Sequence, residues 1–162
     1  MKFKLVPTPP DELGFVADAQ RAVPLVPGSE DDCCARLMRR LDLPSRDVAR
    51  TWLTFLRALE LAEETSDGSF VRLQREPTAA HLRDAFERRV YGASDVLDAL
   101  SDEPKSVADV FGGFDERVPA WERHRAVENW RDIWTERVER ILDWLVLLDL
   151  AAAEADGYVA VE

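Results

Sequence analysis

One stretch of the chain occurs twice. Trp52-Leu53-Thr54-Phe55-Leu56-Arg57-Ala58-Leu59-Glu60-Leu61-Ala62 recurs 89 residues later as Ile141-Leu142-Asp143-Trp144-Leu145-Val146-Leu147-Leu148-Asp149-Leu150-Ala151. After a short gap, Thr65-Ser66-Asp67-Gly68-Ser69-Phe70-Val71 is matched by Glu154-Ala155-Asp156-Gly157-Tyr158-Val159-Ala160. Leu53, Leu56, Leu59, Leu61, Ala62, Asp67 and Gly68 have identical partners at that offset, and Glu60/Asp149 and Phe55/Trp144 are conservative ones. Each copy orders an apolar helix, a short strand, an Asp-Gly turn and a second strand. Self-similarity at a fixed offset is the signature of a chain built from two copies of one supersecondary unit.

The local physics of the first copy is readable. Val48, Trp52, Phe55 and Leu59 recur at spacings of 4, 3 and 4, one face of a helix. Ser45, after Pro44, offers an N-cap oxygen. Leu61 to Thr65 predicts a strand, Asp67-Gly68 a tight turn with positive φ, and Phe70 to Leu73 the returning strand. Upstream, Asp11 to Ala22 predicts a helix burying Leu13, Val16, Ala17 and Ala19 and ended by Pro24. Glu30 to Leu41 predicts another, bounded by Ser29 and Pro44, with Cys33, Cys34, Leu37, Met38 and Leu41 in one arc.

Three helices followed by a hairpin resemble a winged helix-turn-helix domain. The resemblance rests on element order and patterning over residues 11–74, and Lys2 to Val6 is a candidate extra strand beside the wing. The second copy is longer. Helices are predicted at Thr78 to Val90, Ala93 to Leu100, Ser106 to Phe111 and Ala120 to Leu148. The last carries the stripe Val127, Trp130, Trp134, Val138, Ile141, Leu145 and Leu148. From Ile141 to Leu148 only Asp143 is polar, so cover on more than one side is expected, from the other unit or a second copy. The expected architecture is mostly α (α+β): two winged helix-turn-helix units in tandem, each ending in a small β-hairpin wing, at 1–75 and 76–162, the second packed on the first.

Charge bears on the partners. Thirty-two acidic residues against 21 basic ones leave −11, and the cations are 18 Arg and only 3 Lys. This acidic, Lys-poor, Ala-rich composition resembles that of proteins from salt-loving archaea; an acidic protein from a GC-rich genome is the alternative. In dilute buffer −11 opposes DNA binding. At about 1 M salt the Debye length is only about 3 Å, and local patches decide. No apolar run approaches a membrane span and the start shows no signal-peptide stretch, so a cytoplasmic, non-membrane protein is expected. Adjacent Cys33 and Cys34 suit neither a disulfide nor a zinc site and predict helix packing; no metal or cofactor is expected.

In a winged helix the third helix enters the DNA major groove and the wing touches the flanking backbone. At 100° per residue, Arg50 and Arg57 fall about 40° and 20° from Arg46, opposite the apolar face, with Thr51 and Thr54 flanking them. The resemblance therefore implies DNA contacts by Arg46, Arg50, Thr54 and Arg57, extended by Arg72 and Arg75 beside the wing. A solvated Arg face, paired with carboxylates such as Asp47 or Glu60, accounts for the same pattern, and many winged helices bind protein. In the second unit the polar arc is Glu128, Asp132, Glu136, Glu139 and Asp143, with Arg140 the exception. That arc suits hydration, a basic partner or a dimerisation role. Trp121, Trp130, Trp134 and Trp144, with Arg123, His124, Arg125 and Arg131 among them, read as core or as stacking platforms. No phosphate loop or nucleophile motif is present, so a binding protein is expected, not an enzyme. The two readings are a DNA-binding protein of transcription-regulator type and a winged-helix interaction module or scaffold subunit.

Overall fold

The computed structural model describes residues 3–125 and 128–161. Contacts divide the chain into two compact units, residues 1–90 and 91–162. The first orders α1 (Gly14–Ala22), α2 (Glu30–Leu41), α3 (Arg46–Ala58), β1 (Ala62–Glu64), β2 (Phe70–Arg72) and α4 (Ala79–Arg89). Side-chain oxygens of Ser29 and Ser45 accept the Asp32 and Val48 amides at 3.1 and 3.2 Å, fixing the starts of α2 and α3. Trp52, Leu53, Phe55, Leu56 and Leu59 are buried, and Phe15, Trp52, Phe55 and Phe86 form a chain of ring contacts with centroids 5.0 to 6.1 Å apart. Cys33 and Cys34 are buried thiols on α2, and burial pushes both above the ordinary thiol range.

Helix α4 belongs with the first unit, so the division falls at Val90/Tyr91 instead of after residue 75. Its physical ties run backwards along the chain. His81 Nε2 hydrogen-bonds the Leu59 carbonyl oxygen at 2.7 Å, Phe86 packs on Phe55, and Phe3 bridges to Val90. That bridge also corrects the expected N-terminal strand: Phe3 pairs parallel with Val90, not with the wing, and Lys2 lies outside the described residues.

The second unit orders α5 (Ala93–Ala99), α6 (Val107–Phe114), a 3-10 turn (Asp115–Arg117), α7 (Ala120–Arg125), α8 (Trp130–Leu147), β3 (Ala151–Glu154) and β4 (Gly157–Ala160). A reciprocal capping box between Ser106 and Asp109 opens α6, which runs on through Gly112-Gly113 because Val110, Phe111 and Phe114 are buried. The single helix expected over 120–148 is two helices. Twelve residues of continuous helix separate their ends by about 18 Å, yet the Trp134 indole N–H donates to Glu122 Oε2 at 2.7 Å. The two helices are therefore not one continuous rod. Trp134, Val138, Ile141, Leu145 and Leu148 are buried as the stripe requires, Trp130 is half-buried, and Val127 lies outside the described residues.

The two copies share backbone bonds as well as sequence. Glu60 and Asp149 both take φ 60°, the left-handed conformation that ends the third helix. The Leu61 amide donates to the Leu56 carbonyl at 2.9 Å and the Leu150 amide to that of Leu145 at 2.8 Å, the same six-residue closure twice. Ahead of the second helix, Gly28 and Phe70 exchange backbone bonds, as do Lys105 and Tyr158. Both units thus share the order helix, bridge residue, helix, third helix, two-stranded antiparallel wing, with α4 added after the first wing and the 3-10 turn and α7 inserted ahead of α8 in the second. Asp42 closes α2 at φ 55°, where a side chain costs energy. Asp42→Gly is expected to raise stability by about 0.5–1 kcal/mol in urea unfolding; a loss of stability contradicts this reading of the cap.

Candidate nucleic-acid interface

Helix α3 is amphipathic, so burying Trp52, Phe55 and Leu59 turns Arg46 and Arg50 outward; their side chains are 51% and 58% exposed. Packing of α2 on α3 brings the acidic first turn of α2 beside them. Arg50 Nε donates to Glu30 Oε1 at 2.7 Å, and Arg46 pairs with Asp31 and, at 3.8 Å, with Glu30. The hydrogen bond to Glu30 holds the Arg50 guanidinium more firmly protonated still. Thr54 is half-buried between Arg50 and Arg57 along the helix.

Arg57, Arg72 and Arg75 are placed differently. Arg57 pairs with Glu64 of β1 at 3.2 Å and lies 5.5 Å from the Phe3 ring centroid, to which Arg89 also comes within 5.4 Å. Arg72 turns towards α1, donating from Nε to the Val23 carbonyl at 2.8 Å and from Nη2 to that of Arg21 at 3.0 Å. It caps the end of α1, a favourable place for a cation. Arg75 lies 3.7 Å from Glu60, which also takes Arg88 at 2.8 Å and Arg89 at 3.1 Å. The five arginines therefore do not form one stripe. Arg46 and Arg50 stand together on the exposed face of α3, and the other three tie the wing to the rest of the unit. At the wing tip Asp67 accepts from the Thr65 hydroxyl and from the Ser69 amide, which hold its carboxyl below the usual range.

The residues that sequence reasoning missed are the partners. Glu30 and Asp31 read in sequence only as acidic residues complementing the start of α2, and their contact with α3 is tertiary. Glu60, which the sequence did offer as a pairing carboxylate, takes Arg75, Arg88 and Arg89 together. The hydrogen bond from Arg88, then its charge and those of Arg89 and Arg75, hold the Glu60 carboxyl below the ordinary value despite opposing desolvation. A carboxyl lowered by folding stabilises the fold above its unfolded value, about 4.3, and loses that contribution as pH falls through the folded value. Glu60→Gln is accordingly expected to cost about 1 kcal/mol at neutral pH, limited by solvent screening, and the difference from wild type should shrink below about pH 4. Urea unfolding at both pH values checks this; a constant difference would sink it.

Among the described residues the second unit offers no equivalent cationic face on its third helix. At the 89-residue offset, Arg46, Arg50, Thr54 and Arg57 correspond to Thr135, Glu139, Asp143 and Val146. Asp143 accepts the Tyr158 hydroxyl at 2.6 Å, and Arg140 pairs with Glu136 at 3.0 Å. Trp134 and Trp144 are core, while Arg123 and Arg131 lie 4.7 and 4.6 Å from the Trp130 ring centroid and cover it. Trp121 is 54% exposed. Among the described residues no group of three His, Cys, Asp or Glu is placed to hold a metal ion, and no helix is long and apolar enough to cross a membrane.

Comparison with known proteins agrees with this double architecture. No curated protein and no solved structure matches the chain significantly. The family described as the halobacterial double winged helix domain matches residues 1–162, the whole length. The chain belongs to that family.

Proposed function

We propose that this protein is a cytoplasmic DNA-binding protein of the transcription-regulator type, and that α3 of its first unit contacts duplex DNA through Arg46 and Arg50. Thr54 flanks them on the groove side. Arg57, Arg72 and Arg75 add positive charge from positions that also brace the wing. The observation that carries the reading is the half-exposed pair Arg46/Arg50 on the outer face of a third helix, held only by surface carboxylates. Exposed ion pairs are worth about 0–1 kcal/mol, so exchanging Glu30 and Asp31 for DNA phosphates or a guanine edge costs little. Salt at about 1 M weakens both those pairs and the repulsion from the acidic surface.

Fluorescence-anisotropy titration of labelled native genomic fragments across a salt series tests this. Saturable binding that Arg50→Glu abolishes, with helix content unchanged by circular dichroism, is the expected result. No binding at any salt by the folded protein would overturn it. That outcome would favour the interaction-module reading, which one observation supports: the two outward arginines are already neutralised within the unit. With one DNA-contacting unit per chain, dimerisation or a protein partner through the acidic second unit supplies the affinity a single contact lacks.

A further inference from the structure

The first unit has an open surface pocket of about 340 Å³ between the end of α1 and the segment that follows β2, lined by Gln20, Arg21, Leu25, Arg72, Leu73 and Arg75. Three arginines, Arg21, Arg72 and Arg75, line this one pocket in a chain of net charge −11. From this lining we infer that the pocket is a site for a compact monocarboxylate, its carboxyl group held by Arg72 and Arg75 and its short apolar part set against Leu25 and Leu73.

The donors there are under-used. Arg72 commits Nε and Nη2 to two carbonyls of the α1 end, leaving Nη1 unengaged among the described residues. Arg75 has only the 3.7 Å approach to Glu60, a carboxylate that Arg88 and Arg89 already hold more closely. Arg21 is paired with Asp18 at 2.8 Å and contributes little net charge. Glu76 also borders the pocket, so the surplus positive charge is small and suits a monoanion better than a phosphate. Leu25 is 53% exposed at the rim, an apolar surface that a ligand's hydrocarbon would cover. The buried Gln20 amide already spans the two sides, donating to the Leu73 and Arg75 carbonyls at 3.0 and 2.7 Å. A bound carboxylate would tighten that brace and so stiffen the base of the wing.

The test needs no DNA, so its failure and that of the DNA-binding reading are separable. Sodium butyrate and, separately, inorganic phosphate are titrated into ¹⁵N-labelled protein at about 1 M KCl, where long-range charge effects are screened. Butyrate should shift the Gln20 side-chain amide and the Arg72 Nε–H signal saturably. Arg75→Gln should weaken binding about tenfold, the loss of one charged hydrogen bond, while the exposed Arg39→Gln leaves it unchanged. Absence of saturable butyrate shifts, shifts with phosphate alone, or an unaltered Arg75→Gln titration would each overturn the site. If Arg75→Gln fails to fold, the wild-type shifts decide.

Discussion

Alanine at Gly157 is expected to destabilise the second unit by about 3 kcal/mol or more, whereas alanine at Gly68 should cost the first unit only about 1 kcal/mol. The two glycines occupy the same place in the repeat, and both have positive φ, 142° and 84°. Their surroundings differ. A Cβ on Gly157 falls against the Lys105 backbone, 2.6 Å from its carbonyl carbon, while a Cβ on Gly68 meets nothing within 4 Å. Alanine at 157 must therefore push apart the bridge in which Lys105 and Tyr158 exchange backbone bonds at 3.0 and 2.9 Å. Alanine at 68 faces only the cost of its own left-handed backbone. Urea unfolding followed by tryptophan emission separates the two, because Trp134 and Trp144 report the second core and Trp52 the first. Equal losses at both sites would contradict the placement of the second wing against the bridge residue.

The second large effect concerns the α3 face. Arg46→Glu/Arg50→Glu should reduce DNA affinity at least 100-fold, by removing two cationic contacts and putting carboxylates against phosphates. Glu30→Gln should do the opposite, tightening binding about tenfold, because Glu30 is the carboxylate that both arginines share. Its cost to the fold should be small, since the α2 cap is the Ser29 hydroxyl and not Glu30. The pair of results is diagnostic. A merely solvated arginine face predicts no response of DNA binding to either change, and anisotropy titrations of both variants beside wild type decide between the two.

How far the fold was legible depended on where the two units keep a constant offset. The third helices and wings align at 89 residues, so the apolar stripes of both and both hairpins could be read, whereas Glu60 and Asp149 showed only as a conservative match and their shared left-handed φ emerged from the structure. The front halves align at 77 instead: Pro27, Ser29 and Asp32 correspond to Pro104, Ser106 and Asp109. The intervening change of offset is the 3-10 turn and α7, which the first unit lacks. Helical periodicity ran on across that insertion because apolar residues continue at the right spacing, and nothing local marks the break that lets Glu122 reach Trp134. The second hairpin is also one residue tighter, pairing Ala151 with Ala160 where the first pairs Ala62 with Arg72. Alignment by sequence thus equated two glycines that meet different neighbours.

The candidate site was half legible for a related reason. The outward position of Arg46 and Arg50 follows from α3 periodicity alone. Their partners lie 15 to 20 residues away on a different helix and are set by packing of α2 on α3. Arg72 is the clearest case: as an alternating strand residue it is expected to face solvent near the wing, yet the exposed carbonyls at the end of α1 claim its guanidinium.

The most direct test of the DNA-binding account is the salt dependence of affinity for wild type and for Arg46→Ala/Arg50→Ala, plotted as log K against log salt concentration. Each phosphate contact contributes about 0.9 to the slope. A slope shallower by about 1 to 2 in the double variant, with the fold intact, is the expected result. Equal slopes would contradict it and remove α3 of the first unit from the interface.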